Sequence, residues 1–135
     1  MEKIFIKQGY FGIFLFVSFN FFAIYFYPGG TIIDATTEGY LFFYNFFSNL
    51  GEWVAKNGQD NSFSAYLFNS SLIVLAVSYG LFYIMFLKIQ FRISEKYFIK
   101  MALIITISLS LLSFILVAVF PSEGPTFNLH IFFVK

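Results

Sequence analysis

The chain has no cysteine, one histidine, three prolines and one tryptophan in 135 residues. Without cysteine there is no disulfide, thiolate nucleophile, haem attachment or cysteine-ligated zinc. The lone His130 removes multi-histidine metal sites as well, and neither a metal nor another cofactor is expected. Charge is scarce: Asp, Glu, Lys and Arg make up 11% of the residues, against about 25% in an average soluble domain. A net charge of +1 supplies no field for a polyanion, and no nucleic-acid partner is expected. What fills the chain is hydrocarbon and ring. Hydrophobic residues account for 59% and aromatic ones for 24%, with 23 phenylalanines and a mean hydropathy of +0.81. A water-soluble domain of this length leaves too much of its surface exposed to hide so much apolar area, so the composition demands an integral membrane protein.

Crossing about 30 Å of hydrocarbon takes roughly 20 apolar residues, and three stretches qualify. The first covers residues 9–27 and stops at Pro28-Gly29-Gly30, where a helix does not continue. The second covers residues 63–87, with Asn61 or Ser62 as its N-cap. The third covers residues 97–120 and ends against Pro121; Lys100, near its start, can snorkel outward. Residues 126–135 are too few to cross, yet Leu129 to Val134 reads as the opening of a fourth span. The chain is therefore expected to be the N-terminal half of a longer fold. The expected fold class is all-α: one polytopic transmembrane helix bundle over residues 1–135, with three full spans, an outer interfacial helix and an incomplete fourth span.

Cations orient the bundle. Lys3 and Lys7 precede the first span, and Lys88, Arg92, Lys96 and Lys100 gather in and beside the loop 88–96. The loop 28–62 holds Lys56 alone against Asp34, Glu38, Glu52 and Asp60. The positive-inside rule then puts the N-terminus and the 88–96 loop in the cytoplasm and the 28–62 loop outside, with the plasma membrane as the expected location. The first segment reads as a retained signal anchor, because no small-x-small cleavage pattern precedes Pro28.

A polar band interrupts the apolar sequence over residues 46–69, FFSNLGEWVAKNGQDNSFSAYLFN. By the orientation above it lies outside, as does PSEGPTFNLH after the third span, so two distant polar regions meet one boundary. Within residues 42–52, Phe42, Phe43, Phe46, Phe47 and Leu50 fall on one helical face, and Asn45, Ser48, Asn49 and Glu52 on the other. That pattern predicts a helix lying in the interface, at the depth that Trp53, Tyr40 and Tyr44 favour. Asn57-Gly58 reads as a turn. Ser62, Tyr66, Asn69 and Ser70 share a face near the outer end of the second span, and Asn20 lies in the outer half of the first. Ala102, Thr106, Ser110 and Ser113 form a small-residue stripe suited to close helix packing. The expected pocket opens outward and is bounded by Asn20, Ser48, Asn49, Tyr66, Asn69 and His130.

The ordered set FFSNLG, NSFSAYLFN and VFPSEGPTFNLH resembles the damage-regulated autophagy modulator and Frag/Sfk-like polytopic membrane proteins, together with a similar prokaryotic domain family of unknown function. The matches are Ser48, Leu50 and Gly51, then Phe68 and Asn69, then Phe120, Pro121 and His130. They span residues 9–133 and correspond to the first half of that family's fold. Asn49 stands where the family often has an acidic residue. The resemblance implies an outer-side polar site; eukaryotic relatives are linked to lipid handling and GPI-anchor remodelling.

Three function classes follow. The leading expectation is a non-enzymatic protein whose partners are membrane lipids, held in the outward-facing polar pocket, with homo-oligomerisation as a second expectation. The alternative is an intramembrane hydrolase or lipid-remodelling enzyme in which His130 is the base for Ser48 or Ser122, or a metal ligand with Glu52 or Glu123. Against it stands the bland reading of His130 as hydrogen-bonded to a carbonyl or to Asn69. The third is half of a transporter built from repeats, although no span repeats another here. Asn20 and Asn69 are either site residues or interhelical hydrogen-bonders. Ser48-Asn49-Leu50-Gly51 is either a site or a helix end with a left-handed glycine.

Overall fold

The computed structural model describes residues 2–93 and 96–134. Among these residues four α-helices follow one another: α1 (Glu2–Phe26), α2 (Ser62–Ile93), α3 (Tyr97–Val119) and α4 (Phe127–Val134). Short 3-10 turns occupy Phe47–Gly51 and Gly124–Thr126. Among the described residues there is no strand, only the isolated bridges Gly29–Glu38 and Val54–Asp60. Among the described residues three helices are long and apolar enough to cross a membrane: Lys7–Phe26, Ser62–Arg92 and Tyr97–Val119. The eight residues of α4 rise only about 12 Å.

α1 ends at Phe26, one residue short of the expected span end and two before Pro28. α2 overruns its expected limit. It continues from Leu87 to Ile93, so most of the expected 88–96 loop is helix. Charge at Lys88 and Arg92 breaks the apolar run of the sequence, but a helix stops only where its backbone is interrupted, and no Gly or Pro intervenes there. Residues 94 and 95 of that loop, and Lys135 of the partial fourth span, lie outside the described residues. At the same end, the Lys100 ammonium sits 5.3 Å from the Phe91 ring centroid, a cation–π contact tying α3 to α2.

α1 and α2 pack most closely. A Cβ on Gly12 would lie 2.3 Å from Ser78 Cβ, so only glycine permits that approach. Asn20 Nδ2 donates to Ser71 Oγ (2.9 Å) and to Phe16 O (2.7 Å). Ser64 Oγ donates to Ala23 O (2.9 Å). Polar links of this kind hold helices together where lipid offers no competing donor. α3 is more loosely covered, Ala118 being its one buried residue. The small-residue stripe does not make the expected close packing: Ala102, Thr106 and Ser110 are exposed and Ser113 is half-buried. The side of α3 toward α2 carries Leu111, close to Gly80.

The connection between α1 and α2 folds over the ends of the helices, and Leu50 is its buried centre, packed with Ala23, Tyr27, Ala55, Phe68, Leu72 and Ala118. The interfacial α-helix expected over residues 42–52 is not formed. The Asn49 side chain takes a backbone N–H that a helix would have used, and Asn45 ties the start of the segment to its surroundings. Asn45 Oδ1 accepts the Leu41 N–H (2.9 Å) while its amide donates to Gly30 O (2.7 Å). Asn49 Oδ1 accepts the Phe46 N–H (2.8 Å), and the chain closes into the tighter 3-10 turn at Phe47–Gly51. Phe42, Phe43, Tyr44 and Phe46 stay exposed, Phe43 at 90%. Gly51 is not left-handed as a helix-end glycine would be. It is glycine because a Cβ there would stand 2.7 Å from the Phe68 ring and 2.8 Å from Asn69 Oδ1. The Asn57-Gly58 turn is present, with Gly58 at φ +82° and its N–H bonded to Ala55 O (2.9 Å).

Candidate functional site

Asn61 begins the construction of the site. It precedes α2, but its side chain does not cap the helix: its amide donates to the carbonyls of Glu52 (2.6 Å), Leu50 (3.3 Å) and Asn49 (3.4 Å). One buried side chain thereby clamps the last residues of the 3-10 turn and the Glu52 that follows it against the start of α2. With the turn fixed, Glu52 points inward and is 1% exposed. Its Oε1 accepts from Asn49 Nδ2 (2.9 Å), Ser122 Oγ (2.8 Å) and Lys56 Nζ (3.0 Å), and its Oε2 pairs with Lys56 Nζ at 2.8 Å.

Ser122 arrives from the segment between α3 and α4, and its hydroxyl also reaches Ser48 O (3.3 Å). Beside it, Glu123 Oε2 accepts the N–H groups of Trp53 (3.0 Å) and Val54 (3.3 Å). The two distant polar regions, residues 46–69 and PSEGPTFNLH, are thus bonded to each other. Thr126 Oγ1 bonds the carbonyls of Pro121 (2.7 Å) and Glu123 (2.8 Å), closing the turn into α4. That turn delivers His130, 2% exposed, with Nδ1 at 2.7 Å from Phe120 O. A carbonyl can only accept, so Nδ1 carries the proton, and in the neutral ring Nε2 is the acceptor.

These groups form one end of a cleft of about 900 Å³. Ser48, Asn49, Glu52, Lys56, Ser122 and His130 line the polar end. Phe16, Phe68, Leu72, Phe114, Val117 and Phe133 supply the apolar walls, from all four helices. The volume falls within the roughly 300–1,000 Å³ that holds one small molecule.

Of the residues expected at the pocket, Ser48, Asn49 and His130 line it. Asn20, Tyr66 and Asn69 do not. Asn20 is spent on the α1–α2 contact, and Asn69 Nδ2 donates to Gly51 O (3.2 Å) behind the cleft wall. Tyr66 is exposed and stands edge-on to Trp53, ring centroids 5.0 Å apart. The Oδ1 atoms of Asn20, Asn61 and Asn69 are buried without a partner.

Ser122 entered the sequence reading only as a partner for His130, Glu52 also as a loop acid and on the polar face of residues 42–52, and Lys56 only as a loop cation. A Glu and a Lys four residues apart ordinarily read as a solvated surface pair. The available signal was their setting, a short connection between apolar spans with few other charges. The serine–histidine pairing of the enzyme reading is not formed: the Ser122 hydroxyl is given to Glu52, and His130 Nδ1 to Phe120 O. Among the described residues no three His, Asp or Glu side chains gather within metal-ligating reach.

Comparison of the chain with protein-family models, with curated proteins and with solved structures found no match.

Proposed function

We infer that the chain is an integral membrane protein that holds a lipid-like amphiphile in the cleft between α1, α2, α3 and α4. One observation carries this reading: a cavity of about 900 Å³ joins apolar walls from the spanning helices to a buried hydrogen-bonding cluster at the helix ends. A soluble metabolite would gain nothing from Phe16, Phe114 and Phe133, whereas an acyl chain buries itself against them at about 0.8 kcal/mol per methylene. The likeness of FFSNLG, NSFSAYLFN and VFPSEGPTFNLH to Frag/Sfk-like membrane proteins points the same way. On this reading the N-terminus and the basic α2–α3 connection face the cytoplasm of a plasma-membrane protein, and the polar end of the cleft faces outward.

The chain extracted gently from membranes and examined by native mass spectrometry is expected to retain a bound lipid. Val117→Trp, which fills the cleft, should abolish the adduct while the protein stays folded. No adduct on the unaltered chain, or an adduct indifferent to Val117→Trp, would remove the reading. Orientation is checked with membrane-impermeant thiol reagents, since the chain has no cysteine of its own. Gln59→Cys should react from outside and Arg92→Cys should not.

A further inference from the structure

We propose that the ligand is an uncharged, single-chain amphiphile whose head presents a hydroxyl, rather than an anionic or cationic lipid; this rests on the amphiphile-holding reading above. Charge decides the first part. The polar end contains a carboxylate and an ammonium that already answer each other, Lys56 Nζ bridging both oxygens of Glu52 at 3.0 and 2.8 Å. Glu52 is buried, so drawing Lys56 toward a phosphate or carboxylate head would strand the Glu52 charge, and the incoming anion would face it. A cationic head meets the mirror problem, because Glu52 accepts from Lys56, Asn49 and Ser122 already. An uncharged head disturbs neither.

Hydrogen bonding decides the second part. Asn49 is partly engaged, its Oδ1 accepting the Phe46 N–H and one amide hydrogen going to Glu52. Among the described residues the lining keeps donors in the second Asn49 amide hydrogen and in the Ser48 and Ser110 hydroxyls, and an acceptor in His130 Nε2. Because the Phe120 carbonyl fixes the His130 proton on Nδ1, neutral Nε2 offers a lone pair and asks for a donor. A hydroxyl can donate to Nε2 and exchange a second bond with Ser48; an ester or ether head cannot donate. The volume decides the third part. About 900 Å³, shared with a head group, suits one acyl chain, and a two-chain lipid would leave a tail outside.

The test uses the full chain in phosphatidylcholine nanodiscs and quenching of its single Trp53, the residue after Glu52, by chain-brominated probes. The probes are 1-oleoylglycerol, methyl oleate, oleate and oleylamine. Saturable quenching by 1-oleoylglycerol at a mole fraction at least about tenfold lower than for the other three is expected. Lys56→Gln, which leaves Glu52 unanswered, should move the preference to oleylamine; Glu52→Gln should move it to oleate; the double variant should restore 1-oleoylglycerol. Should Glu52→Gln fail to fold, Lys56→Gln alone carries the charge test. Equal saturable binding of all four probes, or a preference that ignores Lys56→Gln, overturns the head-group inference and leaves the cleft as a lipid site. Methyl oleate matching 1-oleoylglycerol overturns the hydroxyl requirement. Quenching that rises linearly with every probe, without saturation, overturns the amphiphile-holding reading itself.

Discussion

At the scale of single residues, buried polar groups are the ones that cannot be exchanged for inert ones. Asn61 shows why: it is 1% exposed, and its amide serves the carbonyls of Asn49, Leu50 and Glu52 at once. Truncation leaves buried acceptors unmet, so Asn61→Ala should lower stability by about 1–3 kcal/mol, read as a fall in the thermal midpoint of the purified protein. Asp34 makes a contrasting case on the loop surface. The Thr36 hydroxyl at 2.7 Å and the Thr36 N–H at 2.8 Å hold its carboxyl below the usual carboxylate range. A lowered folded-state value means that its contribution is present above the ordinary carboxylate range and lost as pH falls through the folded value. Thr36→Val removes the larger cause, so the Asp34 carboxyl carbon followed by NMR should titrate at higher pH in that variant. Identical titration in the two proteins would deny the hydroxyl its part. At this scale the place of Ser48 and His130 on the cleft lining was legible in the sequence, Ser48 from the polar face of residues 42–52 and His130 as the lone imidazole of the polar segment after the third span. Glu52 was not, because nothing local says that a carboxylate will be turned inward; that follows from Asn61, nine residues on.

The elements divide by what sets their limits. α1 and α3 end close to where proline stops them, and those limits were readable. The far end of α2 was not, because Lys88 and Arg92 break the apolar run without interrupting the helical backbone. The 42–52 segment shows the opposite failure. Its apolar spacing fits a helix, but Asn49 diverts the backbone N–H of Phe46 to its own side chain. Periodicity records which residues face together and not which hydrogen bonds the backbone makes. The resulting 3-10 turn is pressed so near α2 that Gly51 admits no Cβ: Phe68, 4% exposed, has no room to swing aside. Gly51→Ala should therefore cost about 1–3 kcal/mol, and by moving the turn should also weaken lipid retention. A stable Gly51→Ala protein with full retention would mean that the turn need not touch α2.

For the whole molecule, three apolar rods set the architecture and one cluster of polar side chains gives it an interior. The class of the protein follows from composition, since 59% hydrophobic residues in 135 cannot be covered by themselves. The meeting of the two polar regions at one helix end followed from the two apolar spans that separate them in sequence. Their joining by Ser122–Glu52 and Glu123–Trp53 bonds could not be foreseen, because it depends on how α3 returns beside the start of α2. The central claim is that this cluster closes the end of an occupied cleft. Ser48 lies on the lining, and Ser48→Cys would be the sole thiol in the chain. The decisive measurement is its alkylation rate by a small uncharged maleimide, taken in nanodiscs with native lipid and again after exhaustive exchange into phosphatidylcholine alone. Occupancy predicts slow reaction with native lipid, fast reaction after exchange, and renewed protection when 1-oleoylglycerol is returned. The same rate in all three states would contradict the account.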